Sequence, residues 1–148
     1  MQQDRIIITL ADDDEDDRLF FTDAFDEIKI NTTVNTVNNG KELLNFLKHP
    51  ETILPNIIFL DLNMPIMNGI DCLKEIKKEE RFKDIAIAIY STSSSEKDIE
   101  NTFVLGANIY IKKPSNFSEL KKILSDVVVI NWQYHTNSLN KENFLLRL

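Results

Sequence analysis

The sequence predicts a single α/β domain built on a doubly wound parallel sheet with helices on both faces. Short β-branched runs at residues 6–10, 33–37, 57–60, 85–90 and 109–111 alternate with segments of helical period. The first, third and fourth runs are continuously apolar instead of alternating, as strands covered on both faces must be. The chain has 148 residues and 43% hydrophobic content, enough for one well-filled core but not for two.

Each element has its own signal in order. After the first strand, Leu19, Phe20, Ala24, Phe25 and Ile28 fall on one helical face. The second strand runs into Asn39-Gly40, a turn signal, and Leu43, Leu44 and Leu47 mark the second helix. The third strand is followed by a second turn signal, Asn68-Gly69, and by Ile70, Leu73 and Ile76, with Cys72 as a small packing residue. Beyond the fourth strand, Ser95 with an acid at Asp98 marks a helix start, and Ile99, Phe103 and Val104 continue the fourth helix. After the fifth strand, Ser115 before Ser118 opens a helix carrying Phe117, Leu120, Ile123, Leu124, Val127 and Val128. The second and last strands belong near the edges. Right-handed crossovers then place helices on both faces.

Composition excludes several classes. A net charge of -7 argues against nucleic acid, whose phosphates are met by Lys and Arg. One cysteine, Cys72, forms no internal disulfide, which points to a reducing, cytoplasmic setting. The N-terminal apolar stretch is too short for a secretion signal, and no run approaches the ~20 apolar residues of a membrane span. His49 and His135 have no metal-ligand spacing.

In an open α/β sheet, ligands bind beyond the carboxyl ends of the strands. Four polar clusters fall there: residues 12–17, all acidic, after strand one; Asp61-Leu62-Asn63-Met64-Pro65 after strand three; Ser91-Thr92-Ser93 after strand four; and Lys112-Lys113-Pro114 after strand five. If Asp12, Asp13 and Asp61 converge, each pair about 5 Å apart repels by roughly 3 kcal/mol at an effective dielectric near 20, so a cation is required. Oxygen ligands without histidine favour Mg2+. A carboxylate beside such an ion and an ammonium can attack phosphorus, which makes Asp61 the candidate nucleophile. Residues 14–17 read as a solvated acidic face at the start of helix one.

Together, the acidic pair, the Asp-Leu-Asn-Met-Pro run, the Ser-Thr pair and the Lys-Pro pair resemble the receiver domains of response regulators over residues 6–129. The resemblance implies a flavodoxin-like strand order, 2-1-3-4-5, for which the chemotaxis receiver is a standing example. It implies that Asp61 is the phosphoacceptor, with Asp13 holding Mg2+ directly, Asp12 through water, and Asn63 by its backbone carbonyl. Lys113 would pair with the phosphoryl group, and Pro114 would follow a cis bond that aims this lysine inward. Ser91 would hydrogen-bond a phosphoryl oxygen, and Tyr110 would be the switch aromatic that follows its movement. Thr92, where such domains often carry Ala or Gly, and the second cation Lys112 depart from the common pattern.

The expected function is therefore a stand-alone response regulator in a two-component phosphorelay. It is a phosphorylated switch and not a turnover enzyme. Its donor would be a sensor histidine kinase or a histidine phosphotransfer protein. The domain is expected at residues 1–130, with residues 131–148 as an extension that lengthens helix five, packs back or contributes to a homodimer. No output domain is expected after helix five, so the signal would leave through a protein partner. The extension and the Asp-Leu-Asn-Met-Pro run look similar to small regulators paired with phytochrome-type kinases. Two rivals remain: a receiver-like interaction module without phosphorylation, and a phosphohydrolase of the haloacid-dehalogenase kind. The latter wants a second acid where Asn63 stands.

Overall fold

The computed structural model describes residues 5–134 and 145–146. Strands and helices alternate: β1 (Ile6–Ala11), α1 (Glu15–Glu27), β2 (Thr32–Val37), α2 (Gly40–Lys48), β3 (Ile57–Leu60), α3 (Gly69–Lys77), β4 (Ala86–Ser91), α4 (Glu96–Val104), β5 (Ile109–Lys112) and α5 (Phe117–Tyr134). A short 3-10 turn, Glu80–Phe82, precedes β4, and a two-residue strand β6 (Leu145–Leu146) ends the described chain. The sheet is parallel throughout, in the order β2-β1-β3-β4-β5-β6. The five expected strands thus stand in the order 2-1-3-4-5. β6 adds to the β5 edge, with Leu145 opposite Tyr110. Among the described residues, no helix is long and apolar enough to cross a membrane.

Strand alternation divides the core. Along β3, Ile57 and Phe59 enter the cluster under α1 and α5, while Ile58 and Leu60 enter the one under α2, α3 and α4. All four are buried, which explains why this strand reads as a continuous apolar run. On the α1 side, Phe21 meets Phe59 at 5.0 Å and Tyr90 at 5.7 Å, both edge-on. Such pairs each contribute about 0.5–1.5 kcal/mol beyond their burial.

Helix starts are capped by side chains that satisfy otherwise orphaned amides. Asp14 caps α1 and Ser95 caps α4. The two Asn-Gly pairs differ from the turn expectation. Asn39 accepts from the Glu42 amide and Asn68 from the Asp71 amide, so each Asn is a cap and each Gly the first helical residue. The start of α5 also differs: Asn116, not Ser115, accepts from the Glu119 amide at 2.8 Å. Asn116 directly precedes the first helical residue, so its side-chain oxygen reaches forward to an amide that has no partner within the helix.

Candidate functional site

Register brings the acidic residues together. Ala11 of β1 pairs with Leu60 of β3, so the next residue of each strand, Asp12 and Asp61, emerges side by side at the carboxyl edge of the sheet. The backbone supports both: the Asp12 amide donates to the Val37 carbonyl at 3.1 Å, and the Asp61 amide to the Ala11 carbonyl at 3.0 Å. Across the sheet, Ser91 pairs with Lys112, and the Lys113 amide donates to the Ser91 carbonyl at 2.8 Å.

The long lysine side chain spans the remaining gap. Lys113 Nζ donates to Asp12 Oδ2 and Asp17 Oδ2, each at 2.8 Å, and lies 3.5 Å from Asp61 Oδ2. Its ammonium also stands 5.3 Å from the Tyr90 ring centre, within cation–π range. The Lys113–Pro114 bond is trans, because no cis peptide occurs among the described residues; this corrects the expectation from the resemblance. The inward aim of the ammonium is held by the carboxylates it meets.

One oxygen from each of Asp12, Asp13 and Asp61 lies within 4.8 Å of the others. Asp12 and Asp61 are buried and Asp13 is exposed, so the trio forms an open-mouthed cup of hard oxygen donors. That donor set fits a divalent cation such as Mg2+, which accepts a few carboxylates and keeps several waters. Asn63 is exposed beside the cup, and its amide donates to Asp61 Oδ1 at 3.4 Å.

Burial governs the charges here. It pushes the Asp61 carboxyl up to about 6, aided by the charge of Asp12 and opposed by Lys113. Burial also raises Asp12, although Lys113 and the Asp14 amide work against it. Burial alone would lower the Lys113 ammonium, but its hydrogen bonds to Asp12 and Asp17 carry it above the usual lysine range. The same bridge thus holds the lysine charged while failing to compensate Asp12 fully. Desolvation explains the imbalance, and it leaves room for a second cation.

The hydroxyl side of the rim is a connected network. Ser91 Oγ is buried and accepts from the Ser93 amide at 3.1 Å. Tyr110 is buried and donates its hydroxyl to the Ser93 carbonyl at 2.8 Å. Ser93 Oγ donates to Asp98 Oδ2 of α4 at 2.7 Å. Ser91, Tyr110 and the start of α4 therefore meet at Ser93. Thr92 and Lys112 point outward and are exposed.

Two participants were not singled out from sequence. Asp17, read as part of a solvated face, turns inward to Lys113. Arg18 Nη1 donates to the Asp12 carbonyl at 2.8 Å. The structure shows how the first turn is set: Asp14 accepts from the Asp17 amide and so starts α1 at Glu15.

The family model described as the response regulator receiver domain matches residues 8–125. A probable methanogenesis regulatory protein, FilR2 of Methanothrix harundinacea, is 28% identical over 128 residues, covering 84% of this chain and 83% of the relative. A protein-glutamate methylesterase/protein-glutamine glutaminase of Clostridium acetobutylicum is 34% identical over 128 residues, but the match spans only 35% of that protein. Among solved structures, the phosphorylated cyanobacterial phytochrome response regulator RcpA superposes with a TM-score of 0.79 at 29% identity, covering 92% of this chain and 98% of the other. The Mn(2+)-bound form of the response regulator Rcp1 gives 0.75 at 26% identity, covering 91% and 99%.

Proposed function

Because this chain belongs to the response regulator receiver family, a family of phosphorylation-based two-component signalling, we propose that Asp61 is its phosphoacceptor. The observation that carries this reading is the convergence of Asp61, Asp12, Asp13 and Lys113 on one small cup. A carboxylate oxygen of Asp61 attacks the donor phosphorus. The bond from phosphorus to the donor's histidine nitrogen breaks, and its electron pair leaves with the imidazole. Lys113 offsets charge on the phosphoryl oxygens, and Ser91 offers a hydroxyl to one of them.

Asp12, Asp13, Asp61 and the Asn63 carbonyl would hold Mg2+. When bound, the ion supplies electrostatic stabilisation of the transferring phosphoryl group. The Mn(2+)-bound Rcp1 structure supports a divalent ion, and the oxygen-only donor set supports magnesium.

Ser91 and Tyr110 share Ser93 as a partner, so withdrawal of Ser91 toward a phosphoryl oxygen alters the loop that Tyr110 and Asp98 brace. The product is a switched binding surface and not released substrate. A sensor histidine kinase or a phosphotransfer protein serves as donor, and the likeness to RcpA favours a phytochrome-type kinase. Such a donor places the exchange in the cytoplasm, where a free Cys72 persists. The proposed domain is residues 1–130, with residues 131–148 as an extension of it that would lengthen helix five or contribute to a homodimer.

The test is incubation with acetyl phosphate and magnesium followed by intact mass measurement. Wild type gains one phosphoryl group and Asp61→Asn gains none. Failure of wild type to label across donor and metal concentrations would favour an interaction module that works without phosphorylation.

A further inference from the structure

Among the described residues, the Lys113 ammonium has three carboxylate neighbours: Asp12, Asp17 and Asp61. Two of these belong to the cation cup. Asp17 does not. It sits in the first turn of α1, and its side chain is 38% exposed where those of Asp12 and Asp61 are 0% and 8%. It therefore approaches the lysine from the solvent side, while the other two hold it from within.

From this arrangement we infer that Asp17 is a positioning residue for phosphoryl transfer, tethering Lys113 at the rim of the cup so that its ammonium does not collapse onto Asp61. The inference rests on the function proposed above. A divalent ion shared by Asp12, Asp13 and Asp61 neutralises much of their charge, which weakens the hold of Asp12 on the lysine. Asp17 lies outside that set and keeps its full attraction. With one N–H directed to Asp17, the ammonium has two further donors for phosphoryl oxygens. Without Asp17, the ammonium is held only from within the cup, by Asp12 at 2.8 Å and Asp61 at 3.5 Å, and a lysine drawn onto Asp61 screens the nucleophile.

Two effects of removing Asp17 have opposite signs, which makes the inference testable. Coulomb repulsion alone predicts that losing a carboxylate near the cup speeds reaction with an anionic donor. Loss of positioning predicts that it slows. The experiment compares wild type, Asp17→Asn, Asp17→Glu and Asp16→Asn, each confirmed folded by its thermal unfolding profile. Acetyl phosphate is titrated at saturating magnesium and the phosphoryl adduct is followed by intact mass. Asp17→Asn should lower the maximal rate roughly tenfold, with Asp17→Glu recovering part of the loss. Asp16→Asn removes the same unit charge from an exposed neighbouring position and should match or exceed wild type. A folded Asp17→Asn that labels as fast as wild type or faster would overturn the positioning role while leaving the phosphoacceptor intact. Absence of labelling in wild type would overturn both.

Discussion

Gly69 presses on the backbone of Asp61: a methyl group placed on Gly69 would stand 2.3 Å from the Asp61 carbonyl oxygen and 2.8 Å from the Cα of Leu62. The Gly69 amide also donates to the Leu62 carbonyl at 2.9 Å, so the start of α3 is docked directly on the segment that carries Asp61, the proposed phosphoacceptor.

Gly69→Ala should therefore damage both stability and chemistry. Neither contacting atom is a flexible side-chain end, so α3 or Asp61 must shift, at a cost of about 1–3 kcal/mol. Urea unfolding should register the loss, and acetyl phosphate labelling should slow in the same variant. A variant as stable and as reactive as wild type would show that α3 docks more loosely than described.

Divalent cation should stabilise the protein by relieving the Asp12, Asp13 and Asp61 cluster. At a hundredfold excess over its dissociation constant the gain is about 2.7 kcal/mol. Thermal unfolding in magnesium or manganese against chelator measures it, and Asp13→Ala should shrink the difference sharply. Equal gains in wild type and Asp13→Ala would place the ion elsewhere.

The raised Asp61 carboxyl has a pH signature. Its folded value is about 6 against 3.8 for the ordinary group, so the folded state binds the proton more tightly than the unfolded chain. Its contribution is then most favourable below the lower value and declines as pH rises toward 6, by at most about 3 kcal/mol. In chelator, Asp61→Asn should be more stable than wild type at pH 7, and that advantage should shrink toward pH 4. A difference that stays flat across this window would mean that Asp61 is not desolvated.

Thr9 carries a fully buried hydroxyl with no hydrogen-bond partner among the described residues. Thr9→Val keeps the shape and removes the unsatisfied group, so it should raise unfolding free energy by about 1 kcal/mol. Urea denaturation with an unchanged slope reads this out, and a destabilised variant would imply an ordered partner for the hydroxyl.

The sequence signalled the strands at the centre of the sheet most clearly, because Ile57, Ile58, Phe59 and Leu60 are all buried and burial on two faces leaves an unmistakable apolar run. The cup was legible for the same reason: Asp12 and Asp61 each directly follow such a run. The Asn-Gly pairs were harder, because Asn favours turns and helix caps by one and the same side-chain hydrogen bond. Asp17 was not legible, because nothing within a run of six acids says which carboxylate will meet a lysine 96 residues away. The two-residue pairing of Leu145–Leu146 with β5 leaves too short a pattern for periodicity to detect. His135 and most of the extension lie outside the described residues.

The most direct test of the account is to find which side chain carries the phosphoryl group. After reaction with acetyl phosphate and magnesium, borohydride reduction converts an aspartyl phosphate to homoserine, and peptide mass mapping locates the change. The expected result is homoserine at position 61 alone, absent when chelator replaces magnesium. Conversion at another carboxylate, with Asp61 untouched, would contradict it.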